Sequence, residues 1–514
     1  MSLIEGQGRM QDRADRWLRQ VEPRQLRALV VVAVLVAAAW LGPRASRTML
    51  LAIVALLALG LALRRPRLQL PMLLLAAAFV PLEIGTGTDS SINIALIGVA
   101  GLTGLGLIQA MLGGDLRLRP APANLPWLVL ILVAGLSVVA GAALWSPWVV
   151  TKNSFILVQG AQWSIFALSA CAYWLGAHRV SDRDQLGRLV VLLLALGAGF
   201  LVVNFMPGVY RFGGRILLGG PVFRICVVAL ASSLALFRPE LDRRLRLGLG
   251  LLAVLVIGLA YLRGSDWASG WLPALFGLLL VGVLWAWERM QWRVLPYALF
   301  AAILGAFFVL PWLARGDVYS LDTRMIAWNG IVQLLEGRWL LGLGLASYWH
   351  YWRGVLGSIS YWDPKIGYLH YTFDPTVNLH NNYLDMVAQM GFLGLAALLW
   401  LLAALTLHIW RRYQAEPPGF GKAYAAAALA TLGAMAASGM LGDWFFPFVY
   451  NIGLHGFRDS FVGWMLLGGV VALDATAADP AASMPGVREP SPAEREPSPA
   501  DGAAAANRVE AGSA

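Results

Sequence analysis

The stretch from Ser320 to Leu384 gathers residue types that handle phosphate, protons and polar rings. Asp322-Thr323-Arg324 opens a segment whose apolar residues Met325, Trp328, Ile331, Val332 and Leu335 recur at helical spacing, with Ser320 or Asp322 able to cap it. Arg324 falls in the first turn of that predicted helix, where backbone amides add positive potential for an anion. A guanidinium is always charged, planar and bidentate toward phosphate. Three of the six histidines lie in the same stretch, His350, His370 and His380. Imidazole titrates near neutrality and suits a general base, and His380 stands where the polar stretch meets the next apolar run, in His380-Asn381-Asn382-Tyr383-Leu384. Between the two motifs lie Tyr348, Trp349, Tyr351, Trp352, Tyr361, Trp362, Tyr368, Tyr371 and Phe373, whose flat faces and polar edges suit sugar rings. Arg211 and Arg215 stand in Arg211-Phe-Gly-Gly-Arg215, ahead of Gly219-Gly220-Pro221. Each has a plainer reading: Arg324 snorkelling to headgroups, His380 capping a helix, Arg211 and Arg215 as loop charges, the aromatics as an interfacial belt.

The elements that must carry these residues follow from composition. Of 514 residues, 59% are hydrophobic and 13% charged, with mean hydropathy +0.66. A soluble enzyme cannot hide that much apolar surface, and disorder needs the opposite composition. The chain therefore reads as an all-α, polytopic membrane protein with about 12–14 transmembrane helices and one large periplasmic loop containing short helices. Residues 1–25 are a cytoplasmic basic amphipathic segment, 26–314 the N-terminal spans, 315–382 the large loop, 383–474 the C-terminal spans and 475–514 a disordered cytoplasmic tail in which Arg488–Ala493 recurs as Arg495–Ala500. Strict alternation puts most of the 39 Lys and Arg on the N-terminal side, which predicts both termini inside. The net charge of +10 thus reflects membrane topology, with no nucleic acid implied. Cys171 and Cys226 lie in apolar runs and read as small buried hydrophobes; no metal-ligand cluster is visible.

Asp322-Thr323-Arg324 with Trp328, then Trp339-Leu-Leu-Gly342-Leu-Gly344, then His380-Asn381-Asn382-Tyr383-Leu384 with Gly391-Phe-Leu-Gly394, resembles the signature of the O-antigen ligase and O-antigen polymerase superfamily over residues 200–410. The Arg211–Arg215 loop resembles that family's Arg-containing outer loop. In two places the pattern departs: Leu262 precedes Arg263-Gly264 where the family often has Ser, and Gln389 stands where an acidic residue is frequent. The resemblance implies transfer of a glycan from a polyprenyl-pyrophosphate carrier to a hydroxyl of a glycan, lipid A core or protein acceptor, at the periplasmic face of a bacterial inner membrane. It implies a metal-independent glycosyltransferase without cofactor, because the sugar–pyrophosphate bond is already activated. Catalysis would fall to His380 and Arg324. Substrate binding would fall to Arg211, Arg215, Trp328, Asn381 and Tyr383. A transporter or lipid-linked glycan flippase is the alternative; it predicts two similar halves and a charged central path, and neither is evident in the sequence.

Overall fold

The computed structural model describes residues 60–113 (without 62 and 87–90), 118–206, 217–264, 268–289, 327–352, 359–363, 368–372 and 379–478, with the single positions 297, 301 and 305. Met1–Leu68 is a unit of its own, whose described part closes in a 3₁₀ turn, Pro66–Leu68. The second unit begins at Gln69.

Its helices are α1 (Gln69–Phe79), α2 (Ile94–Gly113), α3 (Asn124–Ala143), α4 (Phe155–Arg179), α5 (Arg183–Phe205) and α6 (Pro221–Phe237). They continue as α7 (Arg243–Arg263), α8 (Ala268–Arg289), the short α9 (Tyr348–Tyr351), α10 (Asn382–Ala415), α11 (Phe420–Ser438) and α12 (Phe457–Ala478). Among the described residues, nine helices are long and apolar enough to cross a membrane: α2 to α5, α7, α8 and α10 to α12. The architecture is that of an all-helical polytopic membrane protein. The predicted spans between 92 and 287 and between 383 and 474 coincide with helices to within several residues at each end, because each is an apolar run bounded by charged or polar residues. The predicted spans 26–42, 48–63 and 294–314 fall almost entirely outside the described residues.

Two small antiparallel hairpins are additions to the predicted all-helical plan. β1 (Glu83–Gly85) pairs with β2 (Ser91–Asn93). It ends the predicted 69–83 span at Phe79, since Pro81 cannot continue a helix. β3 (Ile359–Asp363) pairs with β4 (Tyr368–Thr372), Tyr361 opposite His370. Four of the nine aromatics of the stretch, Tyr361, Trp362, Tyr368 and Tyr371, therefore lie on strands, where aromatic residues are favoured.

The centre of the fold is α6, in which nearly every residue is buried, including Cys226 and the hydroxyl-bearing Ser232 and Ser233. Small residues let other helices meet closely, as membrane packing requires. A Cβ on Gly176 of α4 would lie 2.1 Å from the Met465 carbonyl oxygen, and one on Gly468 of α12 would lie 1.9 Å from that of Tyr173. Trp127, Phe446 and Trp464 close this packing as a fully buried aromatic cluster.

One helix is not continuous. At Gly391, with φ 64° and ψ −166°, α10 breaks. The break frees backbone groups that a dry interior does not forgive, and the turn at 339–344 takes them up. Phe392 and Leu393 amides donate to the Trp339 and Leu340 carbonyls at 2.8 and 3.2 Å, while Leu343 and Gly344 amides donate to the Ala388 and Gln389 carbonyls at 2.9 and 3.1 Å. The approach is so close that a Cβ on Gly391 would lie 2.4 Å from the Leu340 carbonyl carbon, and one on Gly342 would lie 2.5 Å from that of Gln389. The glycines of the two sequence motifs are therefore the two sides of one seam.

Candidate functional site

The seam fixes the first turns of α10 and the residue before them. Asn381 caps the helix: its side-chain oxygen accepts from the Tyr383 and Leu384 amides at 3.0 and 3.1 Å. Asn382 is buried and donates to the Phe446 carbonyl at 2.7 Å. The Tyr383 hydroxyl donates to the Ala436 carbonyl at 2.7 Å. These bonds tie the start of α10 to the last turn of α11 and to the segment that follows it. Trp328, in the helical stretch 327–334, donates its indole N–H to the Leu379 carbonyl at 2.9 Å, and so holds the residue next to His380. Trp328, Asn381 and Tyr383, predicted to bind substrate, thus make scaffold bonds around His380. Arg324, Arg211 and Arg215 lie outside the described residues.

His380 itself is half-buried and has a positive φ of 49°. Ala346 (φ 58°) is the only other non-glycine in that region among the described residues. Side chains disfavour this conformation, and strain of that kind concentrates at functional sites. Nδ1 of His380 lies 3.1 Å from the amide nitrogen of Asn451. The same nitrogen donates to the Asp443 carboxylate. Asp443 is fully buried and contacts the carboxyl of Asp385, itself only 5% exposed. Gln389 continues the chain: its amide donates to Asp385 at 3.2 Å and its oxygen accepts from the Ala346 amide at 2.7 Å. The two strained residues are therefore the two ends of one polar network, His380–Asn451–Asp443–Asp385–Gln389–Ala346.

A cleft of about 280 Å³, including the solvent at its mouth, opens onto this network. Asp385, Gln389, Tyr348, Trp349 and Tyr450 are among its walls. Trp349 and Tyr450 stack with centroids 5.5 Å apart, and the Tyr450 hydroxyl meets His350 Nε2 at 3.0 Å. Burial pushes the Tyr348 hydroxyl well above the usual phenol range, so it stays protonated and donates to the Ala327 carbonyl at 2.7 Å. The aromatic stretch divides here. Tyr348 and Trp349 line the cleft, Tyr351 and Trp352 belong to the loop's own core, and the residues beyond lie on or after the hairpin.

Other charged residues and a further histidine have separate partners. Arg263 bonds Asn204, and Arg224 donates to the Gly270 carbonyl at 3.0 Å. His455 faces Glu83 at 3.4 Å and Ser91 at 3.2 Å. Asp443, in the polar-aromatic run Asp443-Trp444-Phe445-Phe446, is a carboxylate between apolar runs that a sequence can flag. Asp385 was missed, although a carboxylate one turn into an apolar helix is a functional candidate by default. Asn451 carries no pattern that sequence reasoning could find. No known family model matches the chain, and no characterised protein matches it in sequence.

Proposed function

We propose that this chain transfers a glycan from a polyprenyl-pyrophosphate carrier to an acceptor hydroxyl at the periplasmic face of a bacterial inner membrane. The observation that carries the reading is His380, held in a strained backbone at one end of a buried carboxyl–amide network whose Asp385 and Gln389 wall a cleft lined with aromatic side chains. His380 takes the proton of the acceptor hydroxyl. The oxygen then attacks the anomeric carbon with inversion, and the bond from that carbon to the pyrophosphate oxygen breaks with its electron pair leaving on the pyrophosphate. Arg324, with Arg211 or Arg215, stabilises the charge that builds there. Trp349 and Tyr450 offer flat faces to a sugar ring.

Surface glycans of a deletion strain, complemented with each variant, test this. His380→Ala and Arg324→Ala, inserted normally, should leave the glycan product absent. Full restoration by both sinks the proposal. Accumulated carrier-linked long chains in the deletion strain would mark a ligase, and single repeat units a polymerase.

The broken helix α10 favours a second reading, transport, because transporters build their sites from discontinuous helices. Here four of the groups freed at the break are spent on the 339–344 turn rather than offered to a solute. Flipping of a fluorescent lipid-linked glycan by reconstituted protein, unaffected by His380→Ala, would favour transport.

A further inference from the structure

We infer that Asn451, backed by Asp443 and Asp385, is a positioning residue that sets which ring nitrogen of His380 carries its proton. The inference deepens the role given to His380 above and rests on that reading for its catalytic meaning.

The argument is geometric. One atom, the Asn451 amide nitrogen, meets both Asp443 Oδ2 and His380 Nδ1, the latter at 3.1 Å. An amide nitrogen has two hydrogens and no lone pair to give, so it donates to both. Nδ1 is then an acceptor, and a neutral His380 carries its proton on Nε2. A base that works through Nε2 needs the other tautomer, with Nδ1 protonated. Turning the amide over supplies it. The Asn451 carbonyl oxygen then stands where the nitrogen stood and accepts from Nδ1–H.

That turned arrangement has a second requirement. The carbonyl oxygen also faces Asp443, which must hold a proton to donate to it. Asp385 lies against Asp443, and its Oδ2 is sealed from solvent and receives no hydrogen bond from an N–H or O–H group. A proton held on Asp385 and passed to Asp443, where it comes to rest on Oδ2, the oxygen that faces Asn451, leaves Asp385 ionised and completes the change on the carboxyl side. On the ring, which is half-exposed, one proton leaves Nε2 to water and one enters Nδ1 from water, so the imidazole stays neutral. The two states differ by an amide rotation and by proton positions alone. A carboxylate placed directly against Nδ1 could hold only one of them. The interposed amide can serve both.

The test is the ¹⁵N spectrum of histidine-labelled full-length protein in lipid nanodiscs, with His380 assigned by its absence in His380→Gln. The expected wild-type spectrum has Nε2 protonated and Nδ1 bare. Asn451→Asp should switch the ring to Nδ1–H, because a carboxylate can only accept. Asn451→Leu should give a mixture, with kcat for glycan transfer falling about 100-fold and KM staying within about twofold. A wild-type ring protonated on Nδ1, or one tautomer common to wild type and both variants, overturns the inference. The wild-type spectrum decides even if a variant misfolds. Transfer that survives His380→Ala would instead overturn the proposed function and leave the tautomer result standing.

Discussion

The two ends of α10 handle a histidine and its carboxylates in opposite ways. At the Ala415 end, His408 meets Asp474 directly at 2.6 Å. Nearby, Glu416 is buried between Arg412 and Arg183, and Lys422 meets Glu288 at 2.7 Å. Each carboxylate there touches a cation or a histidine, and the cluster pins α10 to α12 and to the start of α5. At the Asn382 end, His380 reaches Asp443 through the amide of Asn451, and Asp385 sits against that same carboxyl with Gln389 as its donor. Directly paired charges hold a structure in one state. Carboxyls held by amides next to a strained histidine are costly to bury, and their arrangement can change. One end of the helix is a fastening, and the other buries two carboxyls with amide donors beside a histidine of strained backbone.

The contrast can be broken experimentally. The largest effect is expected from His380→Ala, which should lower glycan transfer at least about 100-fold in an assay with purified lipid-linked donor, with His408→Ala leaving the rate per folded molecule close to wild type. Equal losses from both would erase the distinction between the ends. Gly391→Ala comes next. It forces a side chain into the positive-φ seam and should destabilise the fold by about 3 kcal/mol, read as a lower melting temperature and less monodisperse protein.

Glu416→Gln should cost about 2 kcal/mol by leaving two arginines without their shared carboxylate, a value reduced because Arg183 is 41% exposed. The transfer rate per folded molecule should not change.

Asn451→Asp sharpens the comparison by making the His380 end resemble the His408 end. The new carboxylate favours imidazolium and raises the histidine's pKa. Since a base must be neutral, the acid limb of the rate–pH profile should move to higher pH, by about one unit. An unmoved limb would mean that His380 is not the titrating base.

The smallest effect belongs to a surface pair. Arg238 holds the Glu240 carboxyl below the usual carboxylate range through their hydrogen bond. The stabilisation is present above the ordinary Glu pKa and fades as pH falls through the depressed one. Glu240→Gln should cost less than about 0.5 kcal/mol in thermal unfolding at neutral pH.

Legibility in the sequence followed physical scale. Helices such as α3 and α7 were readable because an apolar run of membrane-spanning length has few other meanings. The break in α10 was not, because 383–408 is apolar on both sides of Gly391, and only the partner turn shows why two glycine pairs forty-odd residues apart belong together. The hairpins were hidden by their brevity. His380 was legible by type and position. Its network was not: Asp385 sits inside an apolar run, and Asn451 is one polar loop residue whose role exists only through what it touches across the fold.

The seam at Gly391 also bears on how the chain is made. A ribosome releases the 339–344 turn well before residue 393, so the lacing between them waits for α10 to emerge, and Asn451 arrives later still. His380 therefore waits for the 71 residues up to Asn451 before its network can close, and a nascent chain stalled short of Asn451 lacks that network.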